Sequence, residues 1–359
     1  MIRNCQKLDD CLDIMETSFV LCVGDMMLDE YISGSASRLS PEAPVPVIRR
    51  TGSKQVLGGV GNVAANLAAL GCRTAVFYAV GHDTEADQIH NMLQNKQIEA
   101  YPHAIGAITT KKQRVIAQKQ QICRIDSEEP LILTKQQEDK IVHQVTGLMP
   151  KYNIIILSDY NKGFISPRVA QGIIQAANKN GKPVLVDPKG TNYQKYQGAT
   201  LIKPNLNELR AAINGISPEA TIPSEFNPEK KSDVMHIQSM ANLLRQKLNI
   251  KQSVVTLGEY GMIGVSDSET LYLPTQAKSV SDVSGAGDTS LAVLAAALGA
   301  DISLPIAIDL ANIGAGIVVS KEGTATITTL ELRKKIRELF HCESDPKGWF
   351  MPASTENTK

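Results

Sequence analysis

Short apolar runs alternate with helix-length segments along most of the chain. Residues 19–23, 74–80, 154–157, 183–186 and 253–257 read as buried strands, and the stretches between them are long enough for helices. This alternation predicts an α/β domain with a mainly parallel sheet covered on both faces. Ligands of such sheets bind beyond the carboxyl ends of the strands. Here those ends carry Gly24-Asp25, Ser158-Asp159, Asp187-Pro188-Lys189 and Gly258-Glu259, so polar chemistry collects where a site belongs.

Two stretches break the alternation. Residues 31–50 hold Pro41, Pro44 and Pro46 around Val45 and Val47, which excludes helix and predicts extended edge structure. Residues 109–126 predict a hairpin, with 113–116 and 122–125 flanking a polar Gln-Lys-Gln-Gln turn. Together, segments of about 31–55 and 105–128 are expected to form a small sheet that stands off the main domain and closes over substrate. Residues 214–231, rich in Pro, Ser and Glu, read as a surface loop before a helix at 235–248. The domain is expected to span 18–342, after an extension at 1–17 and before a tail at 343–359 that holds the only tryptophan, Trp349.

Composition narrows the function classes. With 359 residues and 43% apolar content the chain can bury a full core. Lys plus Arg equals Asp plus Glu at 37 each, so no basic field is present to hold nucleic acid or an anionic membrane. Charges at Arg3, Lys7, Asp9, Asp10, Asp13 and Glu16 break up any secretory signal, and no apolar run reaches the roughly 20 residues that span a bilayer. Six scattered cysteines without pairing motifs are expected to be thiols in a reducing cytoplasm. The dispersed histidines offer no zinc spacing. Small molecules and copies of the chain itself are the expected partners.

The chemistry concentrates at Val283-Ser284-Gly285-Ala286-Gly287-Asp288-Thr289, just ahead of an apolar helical run at 291–298. Amides of 284–287 would then lie at a buried helix N-terminus, which attracts anions. The glycines let backbone approach a phosphate, and Asp288 stands where it can take a proton from an attacking hydroxyl. The first strand is followed by Gly-Asp-Met-Met-Leu-Asp rather than GxGxxG, which argues against a dinucleotide fold.

Three motifs in order resemble the ribokinase (PfkB) family of carbohydrate kinases over about 19–340. They are the early Gly58-Gly59-Val60-Gly61-Asn62 run, Lys203-Pro204-Asn205-Leu206-Asn207-Glu208, and the late stretch from Asp282 to Asp288. The resemblance implies a three-layer α/β/α sandwich with a small β-sheet lid, ATP and Mg²⁺ as cofactors, a possible K⁺, and a homodimer. Gly24-Asp25-Met26-Met27-Leu28-Asp29, Ser40-Pro41-Glu42-Ala43-Pro44-Val45-Pro46 and Ser158-Asp159-Tyr160-Asn161-Lys162-Gly163 resemble the branch that phosphorylates C1 of D-glycero-β-D-manno-heptose 7-phosphate, on the route to ADP-heptose and lipopolysaccharide cores. In some members that kinase is fused to a nucleotidyltransferase with an HxGH motif. This sequence has no such motif, and the single-function form is expected. A kinase for another sugar and a non-catalytic sugar-phosphate sensor are the competing readings.

On this resemblance Asp288 is the base and Gly285, Ala286 and Gly287 form the anion hole. Asp29, with Asp25, Gly58, Gly59, Asn62 and Asp159, is expected to hold the sugar. The 7-phosphate needs local cations: Lys162 and Lys189 at strand ends are favoured over Lys112, Arg114 and Arg124 on the lid, and Arg38 is a further candidate. Asn205 and Glu208 are expected at phosphate and hydrated Mg²⁺, Thr256, Gly258, Gly261 and Ser284 at the nucleotide phosphates and ribose, and Asn312 beside the base. Asp282 is a candidate for a monovalent cation.

Overall fold

The computed structural model describes residues 5–105, 108–220, 222, 226–277, 280–321 and 323–340. The expected tail at 343–359, with Trp349, lies outside them. Helix α1 (Cys5–Met15) leads into β1 (Phe19–Gly24) and a long hairpin of β2 (Met26–Leu39) and β3 (Pro46–Gly59). After α2 (Val60–Ala69) the chain runs through β4 (Arg73–Val80), α3 (Thr84–Asn95) and β5 (Glu99–Ala104) to a second hairpin, β6 (Lys111–Ala117) and β7 (Gln120–Ser127). Then come α4 (Lys135–Leu148), β8 (Ile154–Ser158), α5 (Pro167–Lys179), β9 (Val184–Asp187), β10 (Leu201–Ile202), α6 (Leu206–Ile216) and α7 (Lys231–Lys247). The last part holds β11 (Gln252–Thr256), β12 (Met262–Val265), β13 (Thr270–Leu273), α8 (Ala286–Gly299), α9 (Leu304–Val318) and α10 (Thr329–Phe340).

All five apolar runs expected as strands are strands of one sheet. Among the described residues its order is β13-β12-β11-β10-β9-β8-β1-β4-β5, parallel except where β12 and β13 turn back along the edge. Near-continuous apolar strands follow from burial on both faces. In β1, Val20 and Cys22 face one core with α2, α8 and α9, while Leu21 and Val23 face the other with α4, α5, α6 and α7. The result is the expected three-layer sandwich.

The two departures from alternation pair as a second sheet, β3-β2-β6-β7. Its second hairpin turns at Gln118 and Lys119, both with positive φ, which suits a tight two-residue connection. The leading 1–17 segment is less separate than expected. Leu8, Leu12 and Met15 of α1 join the core, and Arg333 of α10 reaches Asp9 at 2.7 Å and Asp13 at 2.6 Å. Helix α7 begins at Lys231, four residues ahead of its expected start. Cys11, Cys22, Cys72 and Cys123 are free thiols, and no described helix is long and apolar enough to cross a membrane.

Candidate active site

Helix α8 is apolar almost all round, so it is buried along its length and brings its N-terminus to the carboxyl edge of the sheet. Gly285 caps it with φ 83°, a conformation that side chains with a Cβ avoid. Of the four amides expected to form an anion hole, Ser284 donates to Asp282 Oδ1 and Ala286 to the Val283 carbonyl. The amides of Gly285 and Gly287 have no acceptor among the described residues, so the anion site is narrower than expected. Asp282 closes a turn, and no cluster of three or more acidic, His or Cys side chains among the described residues stands ready for a metal ion.

Asp288 sits in the first turn of α8 and is 7% exposed. Asn62 Nδ2 donates to its Oδ2 at 2.7 Å, and Tyr160 Oη donates to its Oδ1 at 2.6 Å. Burial pushes its carboxyl above the usual range, and those two bonds and the Lys203 charge pull it part of the way back. Asn62 was expected on the sugar; here its amide is committed to the base. Lys203, 3% exposed, pairs with Asp187 at 3.0 Å and, with Gly285, Gly287 and Asp288, lines a cavity of about 170 Å³. Asp187 is pushed up to about 6, mainly by burial, against the pull of Lys203 and with the push of Asp288.

The carboxylates expected on the sugar divide. Asp29 lies within β2, not on the turn after β1, and accepts Arg114 Nη1 at 2.5 Å. Gly58 on β3 pairs in register with Met27 and lies diagonally against Asp29, where a Cβ would fall 2.3 Å from Oδ2, and Gly59 leads into α2. Asp25 instead holds a loop: its oxygens accept the amides of Tyr160 at 2.7 Å, Lys162 at 3.2 Å and Phe164 at 3.3 Å. Burial and the neighbouring Asp159 push it up to about 6. Asp159 is likewise committed, to the Asn161 amide, Tyr196 Oη and the buried Lys195 ammonium. Both are structural carboxylates that shape the site from behind.

Every candidate cation for a substrate phosphate except Arg38 has an acidic partner. Lys162 pairs with Glu128 at 2.7 Å, Lys112 with Asp126 and Glu128 at 2.9 and 3.0 Å, and Arg124 with Asp126 at 2.8 Å. Lys189, favoured for the sugar phosphate, pairs with Glu208 at 2.7 Å in the cavity beside Gly287, at the phosphoryl end. Arg38 is exposed, nine residues along β2 from Asp29, about 30 Å of strand away. The structure removes it from the site of its own chain.

Asn205 and Glu208 form a capping box on α6, each side chain accepting the other's amide, at 2.9 and 2.8 Å. Both still line the 170 Å³ cavity. That cavity shares Asn205, Thr256 and Gly287 with a larger one of about 590 Å³. The larger space is lined by Gly258, Gly261 and Asn312, so these residues expected at the nucleotide lie around one space, while Ser284 lines neither cavity. Asn312 donates to the Pro274 carbonyl at 2.7 Å.

This arrangement matches a known family. Residues 17–330 match the model of the pfkB family of carbohydrate kinases. The chain belongs to the PfkB family. Bifunctional protein HldE of Pseudomonas fluorescens (strain Pf0-1) is 42% identical over 320 residues, and that of Aliarcobacter butzleri (strain RM4018) is 38% identical over 318 residues. These alignments cover 89% and 87% of this chain and 63% of each relative, so the chain spans about 63% of the length of these curated relatives. Phosphofructokinase-2 from Escherichia coli, solved in complex with potassium, superposes with TM-score 0.73 at 19% identity, covering 90% of this chain and 99% of that one. Ribokinase from Thermotoga maritima superposes with TM-score 0.67 at 16% identity, over 89% and 99%. The fold is ribokinase-like, and the chain is a carbohydrate kinase.

Some residues of this PfkB site escape a reading by motif. Tyr160 and Lys203 sit inside the motifs quoted above, yet nothing along the chain says that one touches Asp288 and the other lies beside Gly287. Lys195 carries no signal at all; it comes from a short 3-10 turn at Tyr193–Tyr196 that follows β9.

Proposed function

We propose that this kinase transfers the terminal phosphoryl group of ATP to the C1 hydroxyl of D-glycero-β-D-manno-heptose 7-phosphate, giving the 1,7-bisphosphate that feeds ADP-heptose and lipopolysaccharide core synthesis. The observation that carries the transfer is the buried Asp288 carboxylate in the first turn of a helix whose Gly285 and Gly287 amides are open to an anion. The choice of heptose phosphate is supported by 38–42% identity to proteins named HldE and by the Ser-Pro-Glu-Ala-Pro-Val-Pro and Ser-Asp-Tyr-Asn-Lys-Gly runs.

Phosphoryl transfer is mostly positioning and charge neutralisation. Asp288 accepts the proton of the attacking hydroxyl, and burial raises its affinity for protons, which suits that task. The Gly285 and Gly287 amides, the α8 dipole and the Lys203 ammonium oppose the charge that spreads over the transferred group. Glu208, which lines the same cavity, would hold Mg²⁺ through water. When bound, that ion screens the triphosphate. A volume of about 590 Å³, lined by small residues and Asn312, suits a nucleoside. On the other side of the base, Asp29 and Arg114 supply a carboxylate for sugar hydroxyls and a cation for the substrate's phosphate.

A coupled assay of ADP release with heptose 7-phosphate, fructose 6-phosphate and ribose tests this reading. Heptose 7-phosphate should give a kcat/KM at least about 100-fold above the others, as polar contacts to a cognate sugar allow. Equal or faster turnover of fructose 6-phosphate would reassign the substrate. No ADP with any sugar would leave a binding protein on a kinase scaffold.

A further inference from the structure

The loop from Asp159 to Phe164 is held more firmly than a connection between β8 and α5 requires. Asp25 accepts three of its amides from below, and the Asp159 amide donates to the Asp187 carbonyl at 3.1 Å. The Asp159 side chain accepts the Asn161 amide at 2.6 Å and is anchored by Lys195 and Tyr196. Asn161 takes φ 57° and Gly163 φ 104°. At Gly163 a Cβ would fall 2.0 Å from the Leu131 carbonyl oxygen, so the turn tolerates no other residue. Two buried carboxylates and a buried lysine thus hold six residues in a shape with sparsely populated backbone angles. Within that shape Tyr160 is the residue whose side chain bonds to Asp288.

We infer that Tyr160 is a positioning residue for the base: with Asn62 it clamps the Asp288 carboxylate in one rotation, so that the remaining lone pairs face the incoming hydroxyl. The two donors take different oxygens, Tyr160 at Oδ1 and Asn62 at Oδ2. A carboxylate turns easily about its last torsion when free. Turning this one breaks both bonds in a buried site, where unmet polar groups are expensive. The clamp comes from two directions, a loop at a strand end and the first turn of α2, so neither element alone sets the angle. Tyr160 stays a phenol beside the carboxylate, since burial and the Asp288 charge push its own titration well above the usual range. It therefore donates at every working pH.

The charged groups facing Asp288 set the background for a pH test. They are Lys203 after β10, Asp187 at the end of β9, and Asp29 on β2 with its partner Arg114 on β6. None of these is altered by removing one phenolic oxygen.

The inference rests on Asp288 being the base, so the test carries both variants. Tyr160→Phe and Asp288→Asn are compared with wild type on the sugar phosphate that wild type turns over, with thermal unfolding recorded for each. For Tyr160→Phe we expect kcat to fall about tenfold with KM for the sugar within about twofold, as misplacement of a reacting group predicts. The acid limb of kcat/KM should move up by about one pH unit, because a bond to the charged carboxylate is gone. Asp288→Asn should lose at least about 100-fold in kcat across the whole range. An unmoved acid limb with near-normal kcat in Tyr160→Phe, beside that loss in Asp288→Asn, would overturn the clamp and leave the base in place. Near-normal turnover by Asp288→Asn would overturn the base itself.

Discussion

The two sides of the reaction centre are built by opposite physics. At the base, three carboxylates, Asp25, Asp187 and Asp288, are pushed upward mainly by burial; neutral donors hold Asp25 and Asp288, and the Lys203 ammonium pairs with Asp187. On the small sheet, Asp126 and Glu128 are part-exposed and Glu30 is buried among cations, with Glu85 beside them on α3; all four are pushed below the usual range by hydrogen bonds and charges from Lys111, Lys112, Lys162 and others. The base end is a low-dielectric wall, and the small sheet carries ion pairs in a more open setting. Part-exposed pairs of this kind contribute little to stability.

The largest break in this contrast is Asp288→Asn, which should lower kcat by about 10² to 10⁴ and leave nucleotide affinity within about twofold. Single-turnover kinetics with ATP binding measured separately checks this, and near-normal turnover would remove the assigned base.

Next in size is an effect of pH on stability. A carboxyl whose folded pKa is raised, as Asp25 is to about 6 from 3.8, contributes stability that is present below the unfolded value and lost as pH rises through the folded one. The stability of wild type relative to Asp25→Asn should therefore fall by roughly 2 kcal/mol between pH 4 and pH 7. Lid carboxylates run the other way, keeping their contribution until pH drops below about 4. Urea unfolding of both proteins at the two pH values measures the gap, and a flat difference would contradict the burial argument.

A smaller effect is expected on the lid. Arg114→Ala should raise KM for the sugar phosphate about tenfold while kcat changes little, since the charge-assisted bond to Asp29 and the packing over Tyr31, at 5.3 Å, are both lost. An unchanged KM would move the phosphate site elsewhere. The smallest expected change is in Lys189→Ala. Beside Glu208 it should raise KM for MgATP about threefold and leave the sugar's KM alone; the reverse pattern would return Lys189 to the sugar.

Much of this was legible in one dimension. Apolar runs at 19–23 and 154–157 could only be strands buried on both faces, and three prolines between 41 and 46 could only be extended chain. The late glycine motif led to Asp288 because chain-local spacing sets a helix start and its first-turn carboxylate. Partnerships were the illegible part. Asn62 and Asp288 are 226 positions apart, and Tyr160 and Asp288 128, so no spacing rule links them. Lys189 and Asp25 looked alike at strand ends, yet one faces Glu208 and the other the underside of a loop.

By itself the sequence determined the layered fold, the helix that opens at Gly285 and the identity of its buried acid, because hydrophobic period, turn residues and helix capping act over a few positions. Only the tertiary structure decided which carboxylates face a ligand and which hold the wall behind it. The same residue type acquires its role from whatever donors the fold brings within hydrogen-bond reach, and that is a property of packing between distant segments.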